Sequence, residues 1–183
     1  MECGLYRGIK LLEHAMKVVE RIFEYRIRQQ IESDDMQFGF IKGKGTTDAI
    51  LMAREMQENF RVKCKKLYFG FVDLEKAFDR VPSEVISCAM RKLGVEEWLV
   101  SAVMSVYSGA KTVVRTVYGN SKGFEVNVGM HQGSALSPLL FVIVMETISR
   151  EFRVALPWEL LYADDLAVIA ETEEKLIKRL MIG

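Results

Sequence analysis

The sequence predicts an α+β layer fold in which an antiparallel sheet is backed by helices, and three observations predict it. Residues 1–66 show helical spacing, strand-like runs begin only at residue 67, and helical segments interleave with those runs. Two of the runs also end in or enclose acidic residues, as expected of strands that carry a site at one end.

From the N-terminus, Ile9 to Ile31 places apolar side chains at Ile9, Leu12, Met16, Val19, Ile22, Phe23 and Ile27, which predicts a long amphipathic helix, continuous or broken near its start, ended by Ser33-Asp34-Asp35. Gly39 to Gly45 reads as a loop, and Thr46 or Thr47 is expected to cap a helix reaching about Val62. Lys42 and Lys44 lie between glycines there, but P-loop spacing and its Lys-Ser/Thr pair are absent. Leu67 to Val72 is apolar, aromatic and β-branched, fitting a buried strand that delivers Asp73 at its end. Pro82-Ser83-Glu84 starts a helix to about Leu93, and Glu96-Glu97 another to about Tyr107. Lys111 to Tyr118 and Phe124 to Val128 alternate as two strands around a Gly119-Asn120 turn. Gly129 to Ser137 is a small-residue loop, and Pro138 stands near the start of a helix to about Val154. Tyr162-Ala163-Asp164-Asp165, set between Leu160-Leu161 and Leu166 to Ala170, reads as a hairpin whose turn carries both acids. A last amphipathic helix covers Glu171 to Met181.

Composition narrows the function classes. At 183 residues with half of them hydrophobic, the chain is ample for a packed core and fits one domain or a fragment of something larger. No apolar stretch approaches the roughly 18 to 20 residues of a membrane span, and Met1-Glu2-Cys3-Gly4 lacks signal-peptide character, so an intracellular protein in the nucleus or cytoplasm is expected. Cys3, Cys64 and Cys88 show no metal-ligand spacing, and neither do His14 and His131. Net charge is zero, yet residues 1–66 carry 13 basic against 10 acidic side chains while residues 67–183 carry 12 against 15. That split suits a phosphate-holding region beside a metal-holding one. Arg61, Lys63, Lys65 and Lys66 are the densest basic cluster, equally explained by a solvated surface.

Adjacent carboxylates repel, and Asp164-Asp165 calls for a compensating cation, although exposed Asp pairs also occur in ordinary turns. If the strand ending in Asp73 neighbours the hairpin, Asp73 and Asp164 face a shared ion with Asp165 nearby. Two-metal phosphoryl transfer needs such a constellation, its ions roughly 3.5–4 Å apart.

Three blocks, Phe71-Val72-Asp73-Leu74-Glu75-Lys76-Ala77-Phe78-Asp79, His131-Gln132-Gly133-Ser134-Ala135-Leu136-Ser137-Pro138 and Tyr162-Ala163-Asp164-Asp165, resemble motifs A, B and C of reverse transcriptases in their order. The wording is similar to the non-LTR (LINE-type) retrotransposon group, whose "GF..G..TTDAI" block matches Gly39 to Ile50, and Tyr6 to Leu12 resembles that group's first fingers motif. Nearly the whole chain is covered.

The resemblance implies a right-hand polymerase, with residues 1–66 as a fingers portion and 67–183 as a palm portion ending before the thumb. It implies an RNA-directed DNA polymerase (a nucleotidyltransferase) in which Asp73, Asp164 and Asp165 hold two Mg²⁺ ions. A primer 3′-hydroxyl paired to an RNA template then attacks the α-phosphorus of a deoxynucleoside triphosphate. Phe78 stands where the family places a bulky ring under the incoming sugar, and Gln132 and Gly133 where its nucleotide pocket is lined. Arg7, Lys10 and Lys17 are basic fingers positions for triphosphate or template. Ile41 and Gly45 replace the family's usual Arg and Ser, and the sequence stops 18 residues after Asp165, before motif D and the primer grip. The alternative is therefore a catalytically inactive retroelement remnant acting, if at all, as a binding or interaction module. An unrelated Mg²⁺-dependent phosphotransferase is disfavoured by the motif B wording.

Overall fold

The computed structural model describes residues 9–31, 36–126, 128–152 and 159–181. In chain order its elements are α1 (His14–Arg28), α2 (Thr46–Val62), β1 (Tyr68–Asp73), α3 (Ala77–Arg80), α4 (Ser83–Lys92), α5 (Glu97–Tyr107), β2 (Lys111–Thr112), β3 (Arg115–Thr116), β4 (Gly119–Asn120), β5 (Phe124–Glu125), α6 (Ser137–Phe152), β6 (Glu159–Tyr162), β7 (Asp165–Ala170) and α7 (Glu173–Leu180). The chain divides into two compact units, residues 1–32 with 76–144 and residues 33–75 with 145–183. The expected α+β content with an antiparallel sheet is present.

In the second unit β1, β7 and β6 form an antiparallel sheet in that order. Alternation along β1 sends Phe69, Phe71 and Asp73 to one face, with Ile169, Ala167 and Asp165 opposite them on β7. That face is covered at one end by Met52, Ala53 and Met56 of α2, packed with Phe38, Leu160 and Ile169. The other face carries Tyr68, Leu166, Val168 and Ala170 against Leu176 of α7. Gly70 admits this close packing, since a β-carbon there would lie 3.2–3.3 Å from Leu180 and Leu176 methyls. Both faces are covered near the end remote from Asp73, while Phe71 remains 81% exposed beside it.

The first unit is mainly helical, with α5 packed on α4 and α1. Its core includes Ile27, Ile86, Met90, Leu99, Val103 and the Leu139–Val144 stretch of α6. Gln30 and Glu96 tie α1 to the start of α5, the Gln30 Oε1 accepting from the Glu96 N–H at 3.0 Å.

Several elements differ from the sequence expectation for identifiable reasons. Helix α1 begins at His14 rather than Ile9, because the Lys10 N–H donates to the Gln132 carbonyl at 2.7 Å instead of entering a helix. Its expected apolar stripe is only partly covered, with Val19 and Ile22 exposed. Helix α2 is capped not by Thr46 or Thr47 but at Gly45, whose N–H donates to Asp48 Oδ2 at 2.7 Å. Gly119-Asn120 is strand β4, not a turn, and the single expected strand over 111–118 becomes β2 and β3. Thr116 Oγ1 accepts from the Tyr118 N–H and donates to the Gly119 carbonyl, closing the turn at Val117-Tyr118. The Ser33-Asp34-Asp35 stop, Cys3, Arg7 and the end of the expected helix at Val154 lie outside the described residues.

Candidate functional site

The acidic residues converge in the second unit. In the β1–β7 register Asp73 lies directly opposite Asp165, and Tyr162 pairs with Asp165 across the β6–β7 hairpin. Directly opposed residues share a face with β-carbons about 4.5–5.5 Å apart, so Asp73 and Asp165 present two carboxylates side by side. Both are exposed, and Asp164 is half-buried in the turn. The cross-strand partner of Asp73 is thus the second acid of the pair rather than the first. Such hard oxygen donors suit a hard cation, and Mg²⁺ in particular is bound by one or two carboxylates together with substrate phosphates. Among the described residues no group of three acidic, histidine or cysteine side chains is gathered to cage a metal unaided.

The turn is an unusual backbone for a non-glycine residue. Ala163 has φ 56°, a positive value that favours glycine, at the first position of the two-residue hairpin turn. Its surroundings hold it there. The Phe38 N–H donates to the Leu161 carbonyl at 2.8 Å and the Leu161 N–H to the Met36 carbonyl at 3.0 Å. The wholly buried Gln37 accepts from the Gly39 N–H through Oε1 at 2.9 Å. Gly39 then passes so near the turn that a β-carbon on it would overlap Ala163 N.

The remaining candidate positions belong to the first unit. Loop 128–135 runs beside residues 78–82: the Met130 N–H donates to the Phe78 carbonyl at 2.7 Å, the Gly129 N–H to the Val81 carbonyl at 2.9 Å, and Val128 bridges Pro82. Gln132 Nε2 donates to Asp79 Oδ1 at 2.8 Å. The Phe78 ring stacks on buried Phe141 with centroids 4.3 Å apart. On the other side of the loop residues 9–10 pass over Gly133, whose φ of 97° and 2.6 Å approach of its β-carbon position to the Lys10 carbonyl leave room only for glycine. Burial lowers the Lys10 ammonium below its ordinary range. Lys17 lies on α1, half-buried.

Glu20 also shapes this loop without belonging to its motif. Glu20, 1% exposed, accepts from Ser134 Oγ and the Ala135 N–H, each at 2.9 Å. Ser134 Oγ in turn accepts from the Leu136 and Ser137 N–H groups at the start of α6, satisfying donors a helix leaves open. Glu20 had a sequence signal: Met16, Glu20, Phe23 and Ile27 share one helical stripe, and a carboxylate on an apolar stripe calls for partners. His131 is buried and stacked on Tyr107 with centroids 4.5 Å apart, and its Nδ1 has no hydrogen-bond partner. Burial, with the nearby Lys10 charge, pushes the imidazole pKa down to about 4.

Residues 2–182 match the family described as reverse transcriptase (RNA-dependent DNA polymerase). The chain belongs to the reverse transcriptase family. Its relatives are non-LTR retrotransposon polymerases. It is 30% identical over 184 residues to the retrovirus-related Pol polyprotein from type-1 retrotransposable element R2 of Nasonia vitripennis, covering 96% of this chain and 18% of that protein. It is 29% identical to the RNA-directed DNA polymerase from mobile element jockey of Drosophila funebris, covering 94% and 20%. This reverse transcriptase chain therefore spans about a fifth of the length of the curated relatives it matches. In fold it is similar to apo telomerase from Candida tropicalis truncated from the C-terminal domain, with a TM-score of 0.70 at 16% identity over 93% of this chain and 36% of that one. No helix among the described residues is long and apolar enough to cross a membrane.

Proposed function

We propose that this chain is the polymerising part of an RNA-directed DNA polymerase, adding deoxynucleotides to a primer 3′-hydroxyl on an RNA template. The observation that carries the reading is the facing pair Asp73 and Asp165 at the acidic hairpin, in a chain of the reverse transcriptase family. Asp73, Asp164 and Asp165 are the residues that would hold two Mg²⁺ ions. When bound, the ions supply charge neutralisation for the attacking oxygen and the leaving pyrophosphate. The protein's own share is positioning and electrostatic preorganisation. Asp73 and Asp165 are fixed by the β1–β7 ladder, and the Ala163 turn and its Gly39 buttress set where Asp164 stands.

In this reading Phe78, backed by Phe141, lies beneath the deoxyribose and rejects a 2′-hydroxyl. Gln132 and Gly133 line the nucleotide pocket, and Lys10 and Lys17 meet the triphosphate. Residues 1–66 serve as fingers and 67–183 as palm, a functional division that cuts across both compact units. The second reading is an inactive remnant that keeps the fold and acts as a binding module.

Extension of a DNA primer on an RNA template with Mg²⁺, comparing the chain with Asp164→Asn, separates the two. Extension abolished by the substitution supports the polymerase. No extension by either protein, with both folded by circular dichroism, supports the remnant.

A further inference from the structure

Gln132 has two chemically different ends, and Asp79 has only one kind of oxygen to offer. An ionised carboxylate accepts hydrogen bonds and cannot donate them, so the 2.8 Å contact between them must be made by the Gln132 NH₂ group. That leaves Gln132 Oε1 as the atom turned away from Asp79, and among the described residues no hydrogen bond to Oε1 is found. The pairing is built into the backbone. Phe78 and Val81, flanking Asp79, accept from the Met130 and Gly129 N–H groups, and a β-carbon on Gly129 would lie 2.9 Å from the Asp79 carbonyl oxygen.

We infer that Asp79 is a positioning residue: it fixes the carboxamide of Gln132 so that an acceptor, not a donor, faces the nucleotide site, which thereby selects a hydrogen-bond donor on the incoming nucleotide. This rests on the polymerase reading above and adds to it the sense of the hydrogen bond and the residue that sets it. On dATP two groups supply such a donor, the sugar 3′-hydroxyl and the base amino group. An amide freed from Asp79 rotates, and either end then meets the ligand.

Single-nucleotide incorporation by the full chain tests this with three substrates: dATP, its 3′-deoxy analogue (ddATP), and the triphosphate of purine deoxyriboside, which lacks the amino group. The intact protein is expected to favour dATP over one analogue by about tenfold in kcat/KM, the scale of one hydrogen bond. The analogue whose disadvantage disappears in Asp79→Ala identifies the donor. Asp79→Ala is expected to raise KM for dATP several-fold with kcat within about twofold, leaving the disfavoured analogue unchanged, so that discrimination collapses. The pair Asp79→Asn with Gln132→Glu restores it, since Asn donates to one Glu oxygen and the other oxygen stays an acceptor. Discrimination undiminished in Asp79→Ala overturns the proposal, as does failure of the exchanged pair to recover it. A wild-type chain that extends no primer overturns the polymerase reading and the ligand assignment with it. The Asp79→Ala/Gln132→Ala cycle in urea then still reads the pairing, and additive shifts in midpoint overturn that as well.

Discussion

Gly39 and Ala163 touch backbone to backbone: the loop after buried Gln37 and Phe38 runs against the tight turn that carries Asp164, with no room for a side chain at residue 39. The consequence is mechanical. Ala163 occupies a left-handed conformation that disfavours an L-residue by about 1–2 kcal/mol. Such strain persists only where surroundings over-determine it.

Gly39→Ala is therefore expected to shift the acidic turn rather than merely crowd a loop. The clash is with backbone, which yields less readily than a side chain, so a loss of about 3 kcal/mol is expected, the upper end of ordinary overpacking. Urea unfolding reads the stability, and primer extension reads the turn. A variant of wild-type stability that also extends normally would show that the loop recedes freely and that Gly39 does not support the turn.

Glu20 holds the loop of Gln132 through Ser134 and Ala135. Glu20→Ala leaves the Ala135 N–H and the Ser134 hydroxyl without their acceptor in a buried place, and a loss of about 3 kcal/mol follows from two such groups. Glu20→Gln keeps the volume and one acceptor, so it should lose roughly half as much. Equal losses for the two substitutions in urea would mean that packing, not the carboxylate, is what Glu20 contributes.

These two residues also mark what was and was not legible in the sequence. Strands β1 and β7 follow from apolar and β-branched runs bounded by acids, and their pairing, only a condition in the sequence reading, brings Asp73 to the hairpin. Register was not legible: whether Asp73 meets Asp164 or Asp165 depends on which residues the turn consumes, and Ala163 and Asp164 are those residues. The Gly39 contact was invisible for a different reason. It joins segments far apart in the chain, and a glycine chosen for a neighbour's backbone looks the same as one chosen for a loop. The 111–125 segment misled because Thr116 bonds locally and turns the chain before Gly119, an effect no alternation pattern carries.

Phe78 is half-buried, its ring against Phe141, so one face is committed to packing while some of the side chain stays accessible. Phe78→Ala is expected to raise incorporation of ribonucleotides relative to deoxyribonucleotides by tenfold or more, on the order of the 1.4 kcal/mol that one steric contact supplies. It also removes stacking and buried area, at about 2–3 kcal/mol. Primer extension with single ribo- and deoxynucleotides separates the effects, because lost stability lowers both rates together. An unchanged ratio would reject the role beneath the sugar.

His131 makes the fold sensitive to acid. Its folded pKa, depressed to about 4 against an ordinary 6.5, means that the buried imidazole resists its proton while the unfolded chain accepts one. Above pH 6.5 the ring is neutral in both states and carries no penalty. Between pH 6.5 and about 4 only the unfolded chain is protonated, so stability falls with pH by about 3 kcal/mol over that window and then levels off. Tyr107 stacks on the ring, and the nearby Lys10 charge adds to the depression that burial causes. His131→Phe keeps a ring against Tyr107 and removes the titration. Its urea midpoint should therefore vary less between pH 7 and pH 4.5 than that of the wild type. A wild-type midpoint that is flat across that range, or a variant with the same slope, would show that the ring takes up its proton in the folded protein as readily as in the unfolded chain.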